Sequence, residues 1–428
     1  MENNALIAIT VFLATYVFII SEIIHRTVIS LVGGMTVVVL GVITQETAIH
    51  HIDLNTLGLL VGMMIIVGVT AETGLFNYLA IKAAKKVQGK PTQIMLVMSL
   101  LTAVASALLD NVTTVLLTVP VTLRITRKLK VPSTPFLVSQ ILASNIGGTA
   151  TLIGDPPNIM IGSSTSLGFG DFVFNLAPVA IVILSMTVIL LELIYKKKLV
   201  TTDELRAHIM TLDENKELRD KSLLKKSVFM LAVTIIMFGL HQMLHLESAT
   251  VAMFCASVLL LIAYPSHEKQ LEGVLRRVEW VAIFFFVGLF VLVGALVETG
   301  VISMIAQEAM EITKGDTAST AILILWLSAV ASAFVDNIPF VATMIPMIHE
   351  MGRMGMEHLT ALWWSLALGA CLGGNGTLIG ASANVVVAGI AAAAGQPISF
   401  VRFFKIAFPL MILSIAISHV YVYFRYLM

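Results

Sequence analysis

The sequence predicts an all-α polytopic membrane protein made of two inverted-topology repeats, each with five spans and one re-entrant helical hairpin. Three observations lead there. Hydrophobic residues fill 58% of the 428 positions and charged residues only 12%, whereas a soluble globular domain carries about 25% charged. Apolar runs long enough to cross a bilayer recur from end to end. Short motifs from the first half return in the second at one fixed spacing.

Taken in order, crossings are expected at 5–22, 29–45, 54–72, 134–162, 172–195, 227–245, 249–265, 279–298, 359–394 and 401–424. The first run has no basic segment before it and no small-residue cleavage site after it, so it reads as a retained span and not as a removed signal peptide. Segments 93–127 and 318–350 are too long for one ordinary helix, and each is interrupted midway by Asp-Asn. Each is therefore read as a hairpin that enters and leaves on one side. Segment 75–90, with Lys82, Lys85 and Lys86 among apolar residues, is expected to lie on the cytoplasmic membrane surface. The chain thus divides into a first repeat at 1–195, a linker at 196–226 and a second repeat at 227–428.

Charge placement tests this layout. With the linker inside, 23 of the 26 Lys and Arg residues fall on the cytoplasmic side, leaving Lys314, Arg353 and Arg425 outside. The positive-inside rule then puts both termini outside, in a plasma (inner) membrane. A net charge of zero gives no sign of nucleic acid as a partner. Cys255 and Cys371 both lie in apolar runs and suggest neither a disulfide framework nor a zinc site.

The repeat is explicit in the residues. AVASALLDN at 103–111 returns as AVASAFVDN at 329–337, ETG at 72–74 returns at 298–300, and GGTATLIGDPPN at 147–158 returns as GGNGTLIGASAN at 373–384, always 226 residues on. Five crossings are an odd number, so the second copy enters the membrane upside down. Such repeats build many secondary transporters, with the substrate site where the halves meet at the midplane.

Two kinds of motif are candidates for binding. The hairpin tips hold Asp110, Asn111 and Thr113, and Asp336 and Asn337; a tip at membrane depth exposes backbone groups that must line a cavity or be buried in protein. The plainer reading is that Asp and Asn cap the short helices. The broken crossings hold Asn145, Gly148, Thr151, Asp155 and Asn158, and Gly374, Asn375, Thr377 and Asn384. Their glycines, with Pro156-Pro157, predict two half-helices joined by an unwound link, which offers carbonyls to a cation or hydroxyl and helix-start amides to an anion. Close helix packing is the alternative role for those glycines.

Among the acidic residues, Asp110, Asp155 and Asp336 are placed near mid-membrane, where an aspartate costs on the order of 3 kcal/mol or more. Protonation of a carboxylate there is set by desolvation against nearby donors or a bound cation, which suits it to ion coupling. Asp155 is the foremost coupling candidate because its repeat position is Ala381, and a cap of the following half-helix is the competing role. Glu72 and Glu298 read as structural, His241 and His245 as an interfacial helix end in preference to a metal site, and Cys371 as packing.

The arrangement, with ATLIGDPPNIMIG at 150–162 and LLDNVTT at 108–114, resembles the ion transporter superfamily and its branch of ArsB-type arsenite permeases, NhaD-type sodium/proton antiporters and the melanosomal P protein. The likeness covers nearly the whole chain. It implies an elevator-type homodimer, in which the first three spans of each half form a scaffold for a moving domain. The sodium/dicarboxylate relatives carry Ser-Asn-Thr at the tips. Here Asp110-Asn111-Val112 and Asp336-Asn337-Ile338 stand instead, which adds negative charge and argues against a dicarboxylate.

The leading expectation is proton-coupled efflux of arsenite or antimonite, with a sodium/proton antiporter as the alternative. Anion or dicarboxylate transport and a passive channel rank below these. No enzyme activity and no cofactor beyond a coupling H+ or Na+ are expected. The sequence holds no Walker lysine motif, so a primary pump is not indicated, though a peripheral ATPase partner is compatible with this reading. An intramembrane aspartyl protease would also need paired carboxylates, but neither Asp110 nor Asp336 has a Gly-x-Gly-Asp context.

Overall fold

The computed structural model describes residues 2–21, 23–265 and 268–428. Among these the chain is helical, with no strand. The first half runs α1 (Glu2–Ser21), α2 (Arg26–Val39), α3 (Gln45–His50), α4 (Leu54–Glu72), α5 (Leu75–Lys86), α6 (Pro91–Leu108), α7 (Asn111–Leu129), α8 (Thr134–Thr149), α9 (Pro156–Ser164) and α10 (Phe169–Tyr195). A polar stretch with α11 (Asp203–Met210) follows. The second half runs α12 (Lys221–Leu240), α13 (Ser248–Ala263), α14 (Glu268–Leu275), α15 (Trp280–Glu298), α16 (Val301–Thr313), α17 (Thr317–Phe334), α18 (Asn337–Arg353), α19 (Thr360–Gly373), α20 (Ser382–Ala393) and α21 (Phe400–Val422).

Eight of the described helices are long and apolar enough to cross a bilayer, among them α6 and α17, so the protein is a multi-pass membrane protein. Three shorter apolar helices, α2, α13 and α20, accompany them. The expected crossings at 134–162 and 359–394 are each divided: α8 stops at Thr149 and α9 starts at Pro156, while α19 stops at Gly373 and α20 starts at Ser382. The expected crossing at 227–245 begins earlier, at Lys221, because Asp220 caps it by accepting from Ser222 N and Leu223 N. Exposed Leu, Ile, Val and Phe along α1, α2, α10 and α12 form the apolar outer surface that lipid requires.

The helix boundaries keep the spacing of the motifs. α4 and α15 are 226 residues apart at both ends, as are α6 and α17. Their packing repeats as well: α2 lies along α15 as α13 lies along α4, and α6 lies along α8 as α17 lies along α19. Close backbone approach explains paired glycines here. A Cβ on Gly147 would stand 2.2 Å from the carbonyl oxygen of Ala103, and one on Gly373 would stand 2.5 Å from that of Ala329. Gly74 and Gly300 both adopt positive φ, at +80° and +77°, which lets α4 turn into α5 and α15 into α16.

Segment 75–90 departs from the expected surface helix. α5 is wedged between α6, α7 and the 3-10 turn Glu214–Glu217 of the linker. Lys85 Nζ donates to Glu214 Oε2 at 2.5 Å, and Glu217 accepts from Arg124 on α7 at 2.7 Å and from Asn77 on α5 at 3.2 Å. The Lys85 ammonium holds the Glu214 carboxyl below its ordinary value. The apolar face that seemed free for lipid is covered by protein instead.

Candidate functional site

The unwound links bring the two halves together. Pro at the first turn of α9 and the Gly147-Gly148 pair stop α8 from continuing, so residues 150–155 cross the interior without helical pairing of their own. Thr151 Oγ1 donates to Ala107 O at 2.5 Å, and at the repeat position Thr377 Oγ1 donates to Ala333 O at the same distance. Asn158 Nδ2 donates to Thr149 O and Thr151 O, while Asn384 Nδ2 donates to Gly374 O and Thr377 O. These four side chains therefore hold the links in place, and their donors do not face a ligand. Gly148 and Gly374 supply the close approach that the links need, each packing against Gly154 or Gly380.

Asp155 stands where both hairpin tips meet. It is 1% exposed and sits at the N-cap position of α9, yet its side chain caps nothing. Asn111 Nδ2 donates to its Oδ1 at 3.3 Å, and Asn337 Nδ2 reaches both its oxygens, at 3.4 and 3.5 Å. Among the described residues no basic side chain pairs with it. The amide network continues from there: Asn111 also donates to Asn145 Oδ1, and Asn145 Nδ2 donates to Asn375 Oδ1 at 2.9 Å and Asn384 Oδ1 at 3.0 Å. Cys371 donates its thiol to Asn158 Oδ1 at 3.5 Å.

The other two aspartates do act as caps. Asp110 accepts from Thr113 N at 2.7 Å and Asp336 from Ile338 N at 3.2 Å. Thr113 takes part through its backbone. Asp336 is further engaged by Arg26 Nη1 and by Ser382 Oγ, the latter at 2.9 Å, and Arg26 itself lies over the Phe285 ring, 5.2 Å from its centroid.

A cavity of about 810 Å3 reaches Asp155 and both tips. Its walls come from hairpin residues Asp110, Asn111, Asp336 and Asn337, from Ser382, and from the α1–α2 and α14–α15 junctions, including Arg26 and Glu279. It holds room for tens of waters at about 30 Å3 each. Thr151, Asn158, Thr377 and Asn384 stay behind this wall.

Arg26 and Glu279 were not among the residues that the motifs single out, whereas Ser382 lies in the second Gly-rich motif at 373–384. The signal of the first two was faint: a charged residue at the edge of an apolar run reads as a loop, and Arg26 meets Asp336 across 310 positions of sequence. The side residues resolve simply. Glu72 pairs with Arg277 and Glu298 with His51, positions again 226 apart. His241 Nδ1 meets the carbonyl of Leu246, and no group of three or more metal-binding side chains occurs among the described residues.

A polytopic helical protein with two broken helices, two tips and a cavity lined by carboxylates and amides between them is built to pass a small solute, and it belongs to the class of membrane transporters. A family model described as a citrate transporter, CitMHS, matches residues 16–369. An uncharacterised transporter of Mycobacterium bovis is 44% identical over 428 residues, covering 99% of both chains. A 46 kDa membrane protein of Mycobacterium leprae is 41% identical over 429 residues with the same coverage. The P protein of Sus scrofa is 34% identical over 504 residues, which takes in 98% of this chain and 59% of that protein. The chain belongs to the CitMHS family; it is a transporter and not an enzyme.

Proposed function

We propose that this transporter is a proton-coupled antiporter that exports arsenite or antimonite, with Asp155 as the coupling carboxylate. The observation that carries this is the setting of Asp155: buried, without a cationic partner among the described residues, and held by one asparagine from each hairpin tip. A carboxylate so placed alternates between proton and solute, and the surrounding amides offer both donors and acceptors to a neutral hydroxylated molecule.

The architecture we propose for this cycle is an inverted repeat, 1–195 and 227–428, joined by a cytoplasmic linker, with both termini outside in the plasma membrane. α1, α2, α4, α12, α13 and α15 form the scaffold; the hairpins α6–α7 and α17–α18, the broken helices and α10 and α21 move against it as an elevator, in a homodimer. Three residues that line the cavity, His25, Arg276 and Arg277, are solvent-exposed, and we take its opening to lie beside them. In the positive-inside orientation that is the cytoplasmic side, so this conformation is inward-facing.

A sodium/proton antiporter is the second reading, favoured by the wall itself: Asp110, Asp155, Asp336 and Glu279 face one another with Arg26 already engaged by Asp336. Citrate, which the family description names, would bring like charge to the same wall and is the reading that this cavity supports least. Proteoliposomes carrying an internal pH dye distinguish the three. Under an imposed pH gradient, arsenite or antimonite alone should dissipate it. Dissipation by sodium would transfer the proposal to cation antiport, and uptake of labelled citrate would overturn both.

A further inference from the structure

The fixed spacing of 226 residues pairs Glu279 with Asp53, and the two are used differently. Asp53 stands at the N-cap of α4 and is saturated: Oδ1 accepts from Asn55 N at 3.0 Å, Thr56 N at 3.1 Å and Ser163 Oγ at 2.8 Å, and Oδ2 accepts from Thr56 Oγ1 at 2.5 Å. Its bond to Ser163 ties α4 to α9. Glu279 occupies the matching N-cap of α15 and makes no side-chain cap bond. It lines the cavity together with Arg26 and Asp110. A carboxylate at a helix N-terminus normally spends itself on the free amides there. Here it is left over.

We infer that Glu279 is the cavity-side proton port of the scaffold: its carboxylate accepts the proton that leaves Asp110 or Asp155 and gives it up to the bulk. The inference rests on the proton-coupled reading above. One proton is taken and one released in each cycle, so the group is regenerated and no further reactant is needed. Its position fits the role for three reasons. It belongs to the non-moving part and stays at the mouth while the hairpin tips shift. The cavity is wide enough to carry water from it to Asp110. The charged groups around it are Asp110, Arg26 and His25 from α2, and Arg276 and Arg277 from its own junction. Of these cations, Arg26 is engaged by Asp336 and Arg277 by Glu72, which leaves the Glu279 carboxylate without an ion pair of its own among the described residues.

The repeat position states what the same residue does when not needed. Asp53 is locked by its cap bonds and by Ser163.

The test uses the full protein in proteoliposomes. Two rates are measured for wild type, Glu279→Gln and Glu279→Asp: proton-coupled net flux across a range of pH, and solute-for-solute exchange with no pH gradient. Exchange requires folding, binding and domain movement but no net proton transfer. We expect Glu279→Gln to keep exchange within about twofold of wild type, to lose at least tenfold of net flux and to flatten its pH profile, with Glu279→Asp restoring both. An unchanged pH profile and net flux in Glu279→Gln would overturn the assignment, as would parallel loss of exchange, which marks a structural or solute-binding role. Absence of proton coupling in the wild type would instead refute the reading on which the assignment rests.

Discussion

Arg26 and Asp336 join the start of α2 to the second hairpin tip, and their removal offers the sharpest energetic test of how that tip is held. Breaking a buried pair from one side costs about 3–5 kcal/mol, while an exposed pair is worth at most about 1 kcal/mol. Asp336 is 10% exposed and Arg26 32%, so this pair lies between the limits. Without Arg26 the carboxylate would keep Ser382 Oγ and Ile338 N, which places the cost of Arg26→Gln near 2 kcal/mol, or about 30-fold in the folded-to-unfolded ratio. Lost contact with Phe285 adds about 0.5–1 kcal/mol. Asp336→Asn should cost less, about 1 kcal/mol, because the freed guanidinium reaches water. The assay is a double-mutant cycle on thermal unfolding in detergent. At about 2 °C per kcal/mol for a large domain, Arg26→Gln should lower the midpoint by about 4–6 °C, and the double variant should fall short of the sum by about 1–2 kcal/mol. Additive effects, or an Arg26→Gln midpoint within about 1 °C of wild type, would refute the claim that this pair fixes the tip.

Three further outcomes follow from the geometry. Gly147→Val and Gly373→Val should each destabilise by about 3 kcal/mol or more and to similar extents, because both drive a side chain into a facing carbonyl; unequal midpoints would deny the structural match of the halves. Thr151→Val and Thr377→Val should each cost about 1 kcal/mol by losing one buried hydrogen bond, and solute affinity measured by exchange should stay unchanged. Glu214 titrates below its ordinary value because of Lys85. Its contribution to docking the linker is therefore complete above the ordinary carboxylate range and is lost as pH falls through the lowered value; hydrogen exchange at 211–218 should rise only in that acidic window, and at neutral pH in Lys85→Ala.

The sequence made the helical class, the hairpin tips and the broken crossings readable, because Asp-Asn inside apolar runs and neighbouring glycines each break a helix for a stated local reason. The repeat made them doubly readable. Three features were not. The amphipathic pattern of α5 fits a lipid surface as well as a protein groove, and only the docked linker decides between them. Thr151 and Thr377 look like ligands in a motif, yet a hydroxyl inside a break is as easily taken by a neighbouring carbonyl. Arg26 and Glu279 lie at the ends of apolar runs, where charge is expected, and gain meaning only through contacts hundreds of residues away. Comparison of Glu279 with Asp53 through the spacing was the one available signal.

The central claim is that Asp155 couples solute to proton, and Asp155→Asn tests it most directly. The variant keeps the size and one acceptor oxygen for Asn111 and Asn337 and removes the ionisable oxygen with its charge and exchangeable proton. Net flux against a pH gradient is measured in proteoliposomes across a range of pH. The account predicts that gradient-driven flux and its pH dependence disappear while the variant stays folded; gradient-driven flux retained at wild-type rate would contradict it.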